Sequence, residues 1–124
     1  MSRKNILPKY QLVTNGDMSQ ASITSVATNI QYLDNIGIQL NFTGSPNGTF
    51  AVQVSADYQQ DPEGSIRVPG NWIPIALPST PLASGSAGQI YIDLNQLSAP
   101  YIRVVYTKTS GTGTLNAFVT GKQV

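Results

Sequence analysis

Apolar and polar positions alternate with a period of two along much of the chain, the mark of half-buried β-strands. In GIQLNFTG, Ile38, Leu40 and Phe42 point one way, and Gln39, Asn41 and Thr43 the other. The turn residues Ser45-Pro46-Asn47-Gly48 follow. Phe50, Val52, Val54 and Ala56 then resume the pattern in TFAVQVSAD, so the two runs predict a hairpin. Further on, Ile90, Ile92 and Leu94 make one face of QIYIDLN. YIRVVYTKT puts Ile102, Val104 and Tyr106 on one face and Tyr101, Arg103 and Val105 on the other. Gly111-Thr112-Gly113 turns the chain into a last strand that carries Leu115, Ala117 and Val119.

Other stretches are less regular. NWIPIALP holds Trp72, Ile73, Ile75 and Leu77 but is broken by proline, which cannot donate to a ladder, so it predicts an edge or interrupted strand. Residues 18–33 fit a helical or a strand period, and their β-branched content favours strand. DYQQDPEGS is a polar loop and STPLASGSAG a flexible connection. The first sixteen residues, MSRKNILPKYQLVTNG, mix bases, a proline and a terminal Asn15-Gly16 turn signal, and predict an arm whose apolar residues pack on something. No helix is predicted. The expectation is an all-β, two-sheet antiparallel sandwich, jelly-roll-like, with about seven or eight strands. Residues 1–16 would form an extended N-terminal arm and residues 17–124 the sandwich. The 124 residues, 40% of them hydrophobic, suit one core.

Composition narrows the chemistry. The chain has no cysteine, so it can form no disulfide and no Cys-based metal site. It has no histidine, which removes the commonest general base and the commonest transition-metal ligand. Charged residues are 10%, against about a quarter in ordinary soluble domains. Polarity therefore rests on Ser, Thr, Asn and Gln, whose burial costs far less than that of an ion. Such a surface is easily desolvated in a protein–protein contact. The net charge of +1 hides segregation. Residues 1–16 hold Arg3, Lys4 and Lys9 and no acid; residues 17–64 hold Asp17, Asp34, Asp57, Asp61 and Glu63 and no base. Residues 65–124 hold Arg67, Arg103, Lys108 and Lys122 against Asp93. This layout suits pairing of the arm with a neighbour's acidic stretch and equally suits cancellation within one fold. No apolar run approaches a membrane span, and no apolar segment follows the basic start, so neither a membrane partner nor a signal peptide is expected.

Asp57, Asp61 and Glu63 are candidates for calcium or for a carboxylate pair, but their spacing matches no calcium loop and three acids in a polar loop are commonly a solvated tip. Trp72 is either core, an interface anchor, or a platform for a sugar with tyrosines such as Tyr58 and Tyr91. The arm's three bases are too few to predict a nucleic-acid partner. No group is placed to activate a serine or lysine. Thus no catalytic residue, metal or cofactor is expected. The expected interaction set is Arg3, Lys4, Ile6, Leu7, Lys9 and Tyr10 of the arm, with Trp72.

The strand wording also carries a resemblance. Gly48–Ser55 (GTFAVQVS), Trp72, Pro100–Tyr106 (PYIRVVY) and Gly111–Ala117 (GTGTLNA) resemble small all-β virion structural proteins of tailed bacteriophages. The likeness spans residues 33–122 and contains no catalytic signature. It implies a jelly-roll cement or decoration protein on the capsid surface of a virion, made in the bacterial host cytoplasm. Such a protein is expected to form dimers or trimers and to clamp the major capsid protein or other virion proteins. Neck, tail and host-binding proteins share such sandwiches. The Y-I-R-V strand is also similar to discoidin-like sandwiches, which keeps a glycan partner as the alternative.

Overall fold

A computed structural model describes residues 6–123, and every strand pair in it is antiparallel. In chain order the strands are β1 (Ile6–Asp17), β2 (Ser22–Thr24), β3 (Thr28–Asn29), β4 (Asn35–Gly44), β5 (Asn47–Ser55), β6 (Gln59–Gln60), β7 (Ile66–Val68), β8 (Ile73–Pro74), β9 (Leu82–Ser84), β10 (Gly88–Asn95), β11 (Tyr101–Ser110) and β12 (Gly113–Lys122). One sheet runs β1-β12-β4-β10. The other runs β2-β11-β5-β8, with β3 also on β11 and β9 also on β5. A separate hairpin pairs β6 with β7.

The pairing is nested. β1 meets β12, β2 and β3 meet β11, β4 meets β10, and β5 meets β8 and β9. A long hairpin rolled into two facing sheets gives this order, the jelly-roll arrangement of a sandwich. The alternation read from the sequence sets which side of each strand faces inward. Ile36, Ile38, Leu40 and Phe42 of β4, Phe50 and Val52 of β5, Ile102, Val104 and Tyr106 of β11, and Leu115, Ala117 and Val119 of β12 are all buried. Fully burying each large apolar chain contributes about 1.5–3 kcal/mol.

There are twelve strands rather than seven or eight, and each added piece has a local cause. β8 and β9 are one edge strand split by a proline-rich stretch. β2 and β3 are one strand interrupted at Ser25. There the Ser25 hydroxyl accepts the Val104 N–H at 2.8 Å and keeps the segment on β11. Residues 18–33 are therefore mostly connection, and their Met18, Ile30 and Leu33 plug the core. The third addition is the β6–β7 hairpin, whose first strand and turn fall in the expected polar loop DYQQDPEGS; Asp61 closes the turn by accepting the N–H of Glu63 and of Ser65.

The expected arm is also different. From Ile6 onward it is the edge strand β1, registered on β12 with three register shifts. Asn15-Gly16 lies at one of them instead of forming a hairpin turn; Asn15 takes a φ of 49° there. Half-buried Leu7 packs against the core, and Leu12 and Val13 join it. Leu7, Leu12 and Val13 thus pack on the chain's own core, while Ile6 and Tyr10 stay largely exposed. Arg3 and Lys4 lie outside the described residues.

Gly48 fixes how closely β5 passes β11. A Cβ there would strike the Thr107 carbonyl oxygen and lie 2.6 Å from the Tyr106 hydroxyl. Tyr106 is fully buried, burial raises the pKa of its phenol, and its hydroxyl has no hydrogen-bond partner among the described residues. Gly48→Ala is expected to cost about 2–3 kcal/mol by overpacking. Tyr106→Phe should stay within about 1 kcal/mol of the parent. Chemical denaturation of both variants checks the pair, and an equal cost for the two would contradict this packing.

Candidate functional site

Four elements converge on the outer face of the β11–β5 sheet. Tyr101 and Arg103 project from β11 on the same face, as the alternation predicts. Gln53, registered opposite Arg103 on β5, accepts a hydrogen bond from Arg103 Nε at 2.8 Å. Just past β5 the chain turns at Ser55–Tyr58, where Ser55 Oγ accepts the Tyr58 N–H at 3.1 Å. Tyr58 is thereby folded back until it is only 6% exposed. Its ring meets Tyr101 edge-on at 4.8 Å and Trp72 at 5.2 Å. Trp72 is half-buried, and the Arg103 guanidinium stacks 4.2 Å from its ring centre. Gln60 of β6 donates to the Tyr58 hydroxyl at 2.8 Å.

Trp72 reaches this place because Asp57 tethers its loop. The Asp57 carboxylate accepts the Asn71 backbone N–H and the Asn71 side-chain amide, each at 2.8 Å, and the Ser55 hydroxyl at 2.9 Å. The Asn71 backbone bond, then the Asn71 side-chain bond, then Ser55 hold the carboxyl below its ordinary pKa of 3.8. Gly70 lets the loop cross: its φ is 66°, and a Cβ there would lie 2.6 Å from the Tyr58 backbone nitrogen. Trp72 Nε1 donates to the Pro69 carbonyl at 3.2 Å, which closes the turn.

Of these, Tyr58, Gln60, Trp72 and Arg103 line a cavity of about 440 Å³. Tyr10 of β1 and the β2–β3 connection also border it, with Thr24 and Ser25 among its lining. Of the expected interaction residues, the structure brings Tyr10 and Trp72 together. The other described ones, Ile6, Leu7 and Lys9, do not line this cavity. Ile6 is 70% exposed. Lys9 lies over the Phe118 ring on the outer face of the other sheet. Tyr91 is 59% exposed on that same outer face, away from Trp72 and Tyr58. The residues the sequence reading missed are Arg103, Gln53 and Gln60. Their only signal was the shared face of Tyr101 and Arg103 on one strand. The three loop acids do not converge: Asp57 and Asp61 bind the chain's own N–H groups, and no cluster of three or more acids placed to hold a metal ion occurs among the described residues.

A second surface lies at the β10 edge. β10 ends its sheet, so its outer backbone has no strand beside it among the described residues. A groove of about 530 Å³ runs between β10 and residues 75–81, with half-buried Ile75, Leu77, Ile90 and Leu97 in its walls. No described helix is long and apolar enough to cross a membrane.

No family model and no curated protein matches this chain. A solved structure of infectious bursal disease virus, Gx strain, is similar over 98% of the chain, with a TM-score of 0.55 at 14% identity. The chain spans 33% of that viral protein's length. The structure of SPBc2 prophage-derived protein YomS is similar over 98% of this chain and 97% of its own, with a TM-score of 0.49 at 8% identity. The viral likeness establishes a shared sandwich fold.

Trp72 is the single tryptophan of the chain, so its fluorescence reports on this loop alone. Asp57→Ala should red-shift the emission by several nanometres, while the β-sheet circular dichroism stays unchanged. The carboxyl's folded pKa lies below its unfolded value, so the tether is complete above about pH 4 and is lost as pH falls through the folded value. An acid titration of the parent should show the same red shift below pH 3.8, absent in Asp57→Ala. An emission maximum indifferent to both changes would refute the tether.

Proposed function

We propose that this chain is a non-enzymatic virion structural protein, a capsid cement or decoration protein that pairs with its own copies and clamps neighbouring capsid subunits. The observation that carries this reading is the unprotected edge of β10. Among the described residues, every other edge of the two main sheets bears a device that discourages strand addition. β1 is broken by three register shifts and is bonded at Leu12 by the Val26 N–H. β2 and β3 are three and two residues long. The β8–β9 edge is interrupted around Pro78 and Pro81. β10 has eight residues in unbroken register on β4, no proline and one charge, Asp93.

The occupant that suits this edge is a second copy of β10, antiparallel across a twofold axis. Pairing centred on Tyr91 sets Asp93 opposite Gln89, and pairing centred on Ile92 sets it opposite Tyr91. Both registers keep Ile90, Ile92 and Leu94 on the core side and face no charge with a like charge. The pair would also cover the adjacent apolar groove. The sparsely charged surface, the likeness of the fold to a viral structure and the tailed-phage strand motifs support placing such a dimer on a capsid. A clamp that binds only the assembled shell stabilises it by mass action, about 2.7 kcal/mol at a hundredfold excess over Kd.

Sedimentation should show a concentration-dependent dimer. Gln89→Asp combined with Tyr91→Asp, both at exposed positions, should give a folded monomer whose melting no longer depends on concentration, because either register then opposes acids. The parent should co-sediment with shells of the encoding virus and raise their melting temperature, and the double variant should do neither. A parent that stays monomeric at 100 µM, or a double variant that protects shells as well as the parent, would overturn the reading.

A further inference from the structure

The cavity beside Trp72 has a chemical character that dimerisation through β10 does not use. Tyr10, 45% exposed, and half-buried Trp72 offer it aromatic ring surface, while Tyr58, also in its lining, is almost wholly buried. Hydroxyl and amide groups of Thr24 and Gln60 stand at its lining. One cation, Arg103, reaches it. Arg103 is fixed through Nε by Gln53 and stacked on Trp72, so its guanidinium plane is already oriented. No ion pair to it occurs among the described residues. The loop acids Asp57 and Asp61 are turned to Asn71, Ser55, Glu63 and Ser65. Partial burial pulls the Arg103 pKa below the ordinary guanidinium value, Tyr58 opposes the shift, and the group stays charged.

From this geometry we infer that the cavity is a binding site for a carboxylate-bearing sugar residue. A pyranose ring presents an apolar C–H face to an aromatic side chain and a rim of hydroxyls to Gln60, Thr24 and the Tyr10 hydroxyl. Its carboxylate meets Arg103, whose planar fork matches two carboxylate oxygens. A volume of about 440 Å³ admits one such ring with its immediate neighbours. A single cation does not suit a polyphosphate, which recruits several bases. The walls are held before any ligand arrives, by the Asp57 tether, the Gln53 bond and the Gln60–Tyr58 bond, so little ordering opposes binding. The site is separate from the β10 edge, and its failure would leave the dimer reading untouched.

The test uses the full chain and Trp72 fluorescence, with glucuronate-terminated oligosaccharides and their glucose-terminated counterparts as probes. The acidic probe should shift or quench the emission saturably at millimolar concentration or below. The neutral probe should bind about tenfold more weakly. Arg103→Gln, whose fold is checked by melting, should abolish the difference between the two probes. Tyr10→Ala, at a 45% exposed position, should weaken both probes about equally. Four outcomes would overturn the inference: no response to the acidic probe at 10 mM, equal binding of the two probes by the parent, an Arg103→Gln chain that still prefers the acid, or tighter binding of a glutamate-rich peptide than of the acidic sugar.

Discussion

Phe50 joins the two sheets. Its ring lies 5.8 Å from Phe42 of the facing sheet and 4.9 Å from Tyr106, its cross-strand neighbour on β11. Three central strands, β4, β5 and β11, therefore share one aromatic contact directly beside the turn that connects the first two. Water excluded there is excluded along both inner faces, where Ile38, Leu40, Val52, Ile102 and Val104 continue the same layer. β2, β3, β8, β9, β10 and β12 are placed by hydrogen bonding to these central ones, and β1 by bonding to β12. The aromatic pocket is one step further out, since Arg103 and Tyr101 point away from the core only because Ile102 and Val104 point into it.

How far the fold was legible in the sequence follows from this layering. β4, β5, β10, β11 and β12 each bury one face and wet the other, so period two reports them directly. β1 was mistaken for an arm because its register shifts break the alternation, and a pattern rule has no way to see that Leu12 and Val13 are both buried across a bulge. The β6–β7 hairpin buries almost nothing, so no apolar pattern marks it. The split of β2 from β3 depends on a hydroxyl replacing a backbone group at Ser25, a substitution that composition does not display.

The pocket was half legible. Trp72 and Tyr58 stood out as aromatic residues, and the shared face of Tyr101 and Arg103 was explicit. Their meeting was not, because it depends on where the loop after Val68 returns. That return is set by Gly70 and by Asp57, and Asp57 was considered as an ion ligand or catalytic acid. Its oxygens serve as acceptors for the chain's own donors. A short polar loop is thereby made as specific as a strand, without apolar burial. The same economy explains how a chain with so few charges keeps a cation in a cavity: the neighbouring acids are occupied, and Arg103 keeps its charge without a counterion from them.

The central place of β12 has a consequence for synthesis. β12 lies between β1 and β4 and carries Leu115, Ala117 and Val119 into the core. While a ribosome is still making residues 113–122, β1 has no partner strand and the apolar faces of β4 and β5 have only part of their cover. The β1-β12-β4-β10 sheet is thus completed late, across the longest separation in the sequence, and loop-closure entropy slows that step. The nascent chain spends its synthesis as a set of sticky half-sheets, in company with other copies doing the same. Few charges keep those copies apart.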